Sequence, residues 1–159
     1  DMAWEIHRHW AGGNHACSEW TVTGTEANGA KLAWLGCDLW LLNDDGKVIT
    51  IVTALLAALT DGYSTYAGGK SPVEHFTRAA SKEFGARGIS VNNIAPGPMD
   101  TPFFYGQETP ERVEFHKSQA LKNQLTQIED IAPLVRFLAG EGWWITGQTI
   151  FANGGYTTR

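Results

Sequence analysis

The sequence predicts an α/β chain, and three observations carry that prediction. Residues 47–53, Lys-Val-Ile-Thr-Ile-Val-Thr, form a β-branched run that reads as a buried strand. After Lys70 comes an amphipathic stretch with Val73, Phe76, Ala80 and Phe84 on one stripe and Glu74, His75, Arg78 and Lys82 off it, which reads as a helix packed by its apolar side. Residues 89–95, Ile-Ser-Val-Asn-Asn-Ile-Ala, then read as a second strand, and 148–151 as a last one. Strands alternating with helices belong to one sheet with helices laid against it.

The remaining elements follow in order. Residues 4–10 alternate imperfectly and 19–23 alternate better, so both are expected as strands. Residues 31–42 are apolar enough to be buried as helix or strand, and are expected to cover the sheet, whose strand at Lys47 would otherwise expose an apolar edge. Gly85 and Gly88 punctuate the end of the helix that follows Lys70. Residues 109–120 read as a helix, and so do 129–138, with Ile131, Leu134, Val135 and Leu138 as the inward stripe. Pro72 leaves two positions open for the helix start, near Tyr66 with a local irregularity or near Pro72 itself, because an interior proline costs about 3 kcal/mol.

The chemistry-bearing motif is Tyr66-Ala67-Gly68-Gly69-Lys70. At i and i+4 a phenol and an ammonium share one helix face. A cation held there favours the phenolate and is expected to lower the tyrosine pKa toward the working pH. A phenol tuned in that way can give or take a proton at a carbonyl oxygen. Thr53 ends the first strand thirteen residues earlier, and the second strand runs into Pro96-Gly97-Pro98-Met99-Asp100-Thr101.

This ordered set resembles the C-terminal half of a short-chain dehydrogenase/reductase, over about residues 44–159. The resemblance implies a partial Rossmann-like, doubly wound parallel sheet with flanking helices, the N-terminal half of the fold being missing or replaced. It implies that Tyr66 is the catalytic acid/base, and that Lys70 lowers its pKa and holds the nicotinamide ribose hydroxyls. Thr53 stands where the family has a serine that hydrogen-bonds the substrate oxygen. Threonine keeps the hydroxyl but adds a methyl and stiffens χ1, and Ala54 offers no second hydroxyl. The loop matches the family's proline–glycine loop beside the nicotinamide, which makes Pro96, Gly97, Met99 and Thr101 cofactor-binding candidates together with Lys70. Pro and Gly make plain strand-to-helix turns anywhere; the cofactor reading leads here because the loop follows the right strand.

The implied cofactor is NAD or NADP, and the implied reaction is oxidation or reduction of a small-molecule alcohol or carbonyl. A homodimer or larger assembly is also implied, since in the family the helix after the catalytic tyrosine packs on its copy. Phe103, Phe104 and Tyr105 fall in the family's substrate lid; they line an apolar pocket or anchor the helix at 109–120, and both readings stand.

A dinucleotide-binding sheet has two βαβ halves, and the resemblance covers the second. Thr21-Val22-Thr23-Gly24 looks like the entry to a phosphate-binding turn, but residues 25–30 carry glycine at the wrong spacing. Weak dinucleotide binding and low turnover are therefore expected. The alternative is a catalytically inactive oligomeric remnant of the fold. Five of seven tryptophans, both cysteines and three of five histidines lie in the first forty-odd residues. That break divides the chain into a non-homologous segment at 1–43, as a frameshift or fusion would produce, and the partial domain at 44–159.

Formal charge is −5, with a pI near 5.5 and no basic run, which argues against nucleic acid as a partner. No apolar stretch of about eighteen residues appears, so no membrane span is expected, and no signal peptide is visible. Cys17 and Cys37 are expected as reduced thiols in a cytoplasmic protein. His7, His9, His15 and Cys17 are chemically suited to zinc, but such spacings belong more often to solvated or packed residues, and no metal site is assigned.

Overall fold

A computed structural model describes residues 2–12, 15–25, 31–42 and 46–158, and within the first three of these segments it describes the side chains of Glu5, Thr23 and Thr25. The described strands form one sheet in chain order: β1 (Met2–Gly12), β2 (His15–Thr25), β3 (Lys31–Leu42), β4 (Lys47–Ile51), β5 (Ser90–Pro96) and β6 (Thr149–Ala152). β1 to β4 pair antiparallel, whereas β4, β5 and β6 are parallel. The three parallel strands are the ones the β-branched runs predicted, and β4 and β5 are neighbours from Lys47↔Ser90 to Ile51↔Ile94. Residues 31–42 are a strand. It meets β4 edge to edge at Leu41↔Ile49 and Leu42↔Val48, and so extends the sheet instead of lying across a face. The backbone groups on that side of β4 find partners there, which answers the exposed-edge problem.

The helices are α1 (Leu55–Ala58), α2 (Ser64–Gly85), α3 (Pro102–Tyr105), α4 (Pro110–Ser118) and α5 (Ile128–Ala139), with a 3-10 turn at Leu121–Asn123. Successive strand residues point to opposite faces, and β5 shows both uses. Ile94 joins Ile49, Ile131 and Leu138 in the core beneath α5. Its neighbour Asn93, also fully buried, is aimed at α2. The predicted inward stripe of α5 holds: Ile131 and Leu138 are buried, and Leu134 and Val135 pack against the same core.

The stripe predicted for α2 holds in part: Val73, Ala80 and Phe84 are half-buried, but Phe76 is 70% exposed and the fully buried positions are Thr77 and Ser81. Close approach is the reason. Thr77 Oγ1 donates to Asn93 Oδ1 at 2.7 Å, and a Cβ built on Gly147 would lie 2.7 Å from Ser81 Oγ. Only small side chains fit at that separation, so the phenylalanine is turned outward. Asn93 Nδ2 in turn donates to Thr149 Oγ1 at 3.2 Å, which satisfies the buried amide.

α2 runs unbroken through Pro72, so Tyr66 and Lys70 both lie in its first two turns. Of the two starts that Pro72 left open, the earlier one is realised.

Candidate active site

The site is built where the parallel strands end. Beyond β4, Val52 N donates to the carbonyl of Ile94 and Ala54 N to that of Pro96, each at 2.8 Å. These two bonds pin the intervening Thr53 beside the end of β5, and Thr53 is buried. Its Oγ1 accepts from Leu55 N at 3.2 Å. The same hydroxyl is near enough to the Tyr66 phenol to act on its titration. Lys70 stands one turn further along α2, half-exposed, on the same face as Tyr66.

The electrostatics of Tyr66 differ from the sequence expectation. Burial pushes its pKa above the ordinary phenol value, and the Thr53 hydroxyl acts against that rise. The expected net lowering by Lys70 is not what the structure has. Desolvating a phenolate is the larger effect, and the compensating donor is a hydroxyl thirteen residues upstream.

The proline–glycine loop follows β5 directly. Gly97 is buried, and a Cβ there would lie 2.8 Å from Thr126 Oγ1 and 3.3 Å from Asn153 Cα. Two bonds tie the loop to the segment before α5: Thr126 N to the Pro98 carbonyl and Asp100 N to the Thr126 carbonyl, both at 2.9 Å. In such a parallel bridge the peptide groups of the residue between, Met99, point to the opposite side. Thr101 caps α3, its hydroxyl accepting from Phe104 N at 3.4 Å. An apolar cleft of about 500 Å³ flanks this loop, between β4, Met99 and α5; Thr53, Tyr66 and Lys70 are not among its lining residues.

Of the three aromatics one takes the anchoring reading, and none lines the apolar cleft. Phe104 packs edge-on against the His116 ring with centroids 5.6 Å apart, so it anchors α4. Phe103 and Tyr105 are exposed, and the Tyr105 hydroxyl donates to Asp100 Oδ1 at 2.8 Å.

The donor set fits the nicotinamide end of a dinucleotide. A phenol, an ammonium, a loop whose glycine admits no side chain and a peptide unit turned away from its pairing partner are what an amide-bearing ring and a ribose need. Thr126 and Asn153, which close in on Gly97, were not singled out from the sequence. They lie about thirty and fifty-five residues further on, and no local pattern marks them. The histidine and cysteine candidates for zinc, His7, His9, His15 and Cys17, lie outside the residues whose side chains are described.

A family model described as Enoyl-(Acyl carrier protein) reductase matches residues 21–157, so the match takes in β3 and part of β2. The chain is 41% identical over 111 residues to NADPH-dependent aldehyde reductase 2, chloroplastic, of Arabidopsis thaliana, covering 69% of this chain and 41% of that protein. It is 40% identical over 112 residues to the 3-oxoacyl-[acyl-carrier-protein] reductase FabG of Pseudomonas aeruginosa, covering 69% of this chain and 44% of that one. The chain thus spans less than half the length of these curated relatives. A crystal structure from Burkholderia cenocepacia with bound NADP is 59% identical with a TM-score of 0.71, over 75% of this chain and 47% of that one. The angucycline C-6 ketoreductase LanV with bound NADP is 31% identical with a TM-score of 0.65, over 71% and 44%.

Proposed function

The chain belongs to the short-chain dehydrogenase/reductase family, and from that premise we propose that it carries the carbonyl-side half of an NAD(P)-dependent oxidoreductase site for a small alcohol or ketone. The observation that carries this reading is the placing of buried Thr53 and the Tyr66 phenol together, with Lys70 on the same helix face, at the C-terminal end of the parallel strands, where open α/β sheets bind their ligands.

In the reducing direction Tyr66 gives its phenolic proton to the substrate oxygen as negative charge develops there; in the oxidising direction it takes that proton back. Thr53, with one proton to give, donates it to the substrate oxygen while Tyr66 is protonated, or to the phenolate that Tyr66 becomes. Lys70 adds positive charge on that face of α2. Lys70, Pro96, Gly97, Met99 and Thr101 are the residues that would hold the cofactor, a nicotinamide dinucleotide, which supplies or accepts the hydride when bound. NADPH is the form favoured here, since one relative is named NADPH-dependent and two similar structures hold NADP.

All the residues assigned stand on the nicotinamide side of the ligand, so dinucleotide binding by this chain alone is weak and turnover low, because loose positioning forfeits part of the roughly 7–11 kcal/mol that orientation supplies. Self-association is part of the same proposal, since α2 turns the large apolar ring of Phe76 outward. The test is NADPH consumption with a panel of small aldehydes and ketones, wild type against Tyr66→Phe. Slow turnover that falls about 10²–10⁴-fold in the variant is the expected result. Turnover that survives Tyr66→Phe overturns the site. No turnover and no fluorescence change on NADPH addition overturn the oxidoreductase reading in favour of an inactive remnant.

A further inference from the structure

A buried polar cluster at the start of α2 takes part in no step above. The Tyr63 hydroxyl donates to Glu108 Oε1, and Arg112 Nε donates to Glu108 Oε2 at 3.0 Å. His116, on α4, is 2% exposed and has both ring nitrogens engaged. Its Nε2 lies 3.3 Å from the Tyr63 hydroxyl and its Nδ1 2.9 Å from the Tyr156 hydroxyl. The rings of Phe104 and Phe115 flank the imidazole at 5.6 and 5.5 Å.

Counting protons gives this chain a direction. Glu108, paired with a guanidinium, accepts only, so the Tyr63 proton goes to it. The Tyr63 oxygen then accepts from His116, which requires the imidazole proton on Nε2. A neutral ring protonated there leaves Nδ1 bare to accept from Tyr156. Both tyrosine hydroxyls then donate once, and both ring nitrogens are satisfied. The titratable and charged groups around the ring are Tyr63, Glu108, Arg112 and Tyr156. Burial pushes the His116 pKa below its ordinary value, Glu108 raises it and Arg112 lowers it, so the neutral ring is the stable one.

The turn of α2 that carries Tyr66 needs such an anchor. Tyr63 is the N-cap and makes no side-chain cap bond, and the first turn holds no acidic residue. Pro72 removes the N–H that would bond the Gly68 carbonyl. The stretch 64–71 is therefore short of helical support at both ends, and Tyr63 stands three residues ahead of Tyr66.

We propose that His116 is a positioning residue: as the Nε2–H tautomer it links α4 and the C-terminal segment at Tyr156 to Tyr63, and thereby anchors the turn of α2 that bears Tyr66. The consequence for catalysis rests on the reading of Tyr66 as acid/base; the anchor does not.

The test uses the full chain without cofactor or substrate. Long-range proton–nitrogen correlation of the imidazoles, with His116 assigned by His116→Gln, reads the tautomer. Expected is an Nε2–H ring that stays neutral between about pH 6 and 8, where a histidine peptide in the same buffer titrates. Tyr63→Phe keeps the ring and removes the hydroxyl. It should move the His116 Nε2 signal and speed amide exchange at 64–71 about tenfold or more, leaving 76–85 within about twofold. An Nδ1–H tautomer, a ring protonated at neutral pH, or exchange that is unchanged or rises evenly along α2 overturns the proposal. If His116→Gln does not fold, the Tyr63→Phe arm decides alone. Absence of reductase turnover alongside the expected spectrum counts against the role of Tyr66 and leaves the anchor standing.

Discussion

Thr53, in the turn after β4, acts on the phenol of Tyr66, in the first turn of α2, and opposes the rise that burial gives its pKa. Removal of the Thr53 hydroxyl is therefore directional. In Thr53→Val the phenolate loses its donor and the Tyr66 pKa moves further up. The high-pH limb of carbonyl reduction should shift to higher pH, and kcat should fall about tenfold or more. Thr53→Ser should restore both. A pH–rate profile unchanged in Thr53→Val would show that Thr53 does not tune Tyr66.

Gly97 tests the loop. An added Cβ meets Thr126 Oγ1 at 2.8 Å and the backbone Cα of Asn153 at 3.3 Å, so the contact is not relieved by one rotamer change. Gly97→Ala should cost about 1–3 kcal/mol in denaturant unfolding and weaken NADPH binding, read by fluorescence. A variant with wild-type stability would mean that the loop yields freely.

Tyr63 tests the polar cluster by its pH dependence. Burial first, and then the hydrogen bond to Glu108, raise its pKa to about 12. Its unfolded value is about 10, so between those values the native state holds a proton the unfolded chain has lost. Stability therefore falls as pH rises through that window, and the contribution is complete below it. Tyr63→Phe should flatten the alkaline loss of stability, measured as urea midpoints from about pH 9 to 12. An equally steep loss in the variant would place the cause elsewhere.

Phe76 tests association. The ring is 70% exposed on α2, and Phe76→Glu should shift the chain toward monomer in light scattering at micromolar concentration. Wild type that is already monomeric there rules out self-association at this face.

Much of this architecture was legible before any coordinates. The run at 47–53 is β-branched because β4 is buried, and burial on both sides removes the polar alternation; 89–95 keeps Asn92 and Asn93, which are buried too and satisfied by hydrogen bonds. The stripe of α5 was readable because that helix packs a wide apolar face on the core. The spacing of Tyr66 and Lys70 on one helix face was readable too, since α2 continues through Pro72.

Periodicity carries no information on how closely an element approaches its neighbour, and there the tertiary structure decided. The tight contact of α2 with β5 chose Thr77 and Ser81 for the buried interface and left Phe76, alone of the apolar stripe, outside. The balance at Tyr66 was set by burial and by Thr53, brought together by bonds from Val52 and Ala54 to β5. The cluster of Tyr63, Glu108, His116 and Tyr156 gathers residues up to ninety-three positions apart. A local pattern records the polarity of one segment in an averaged environment. Hydrogen-bond partners, close backbone approach and desolvation are properties of pairs, and they exist only once the chain has folded.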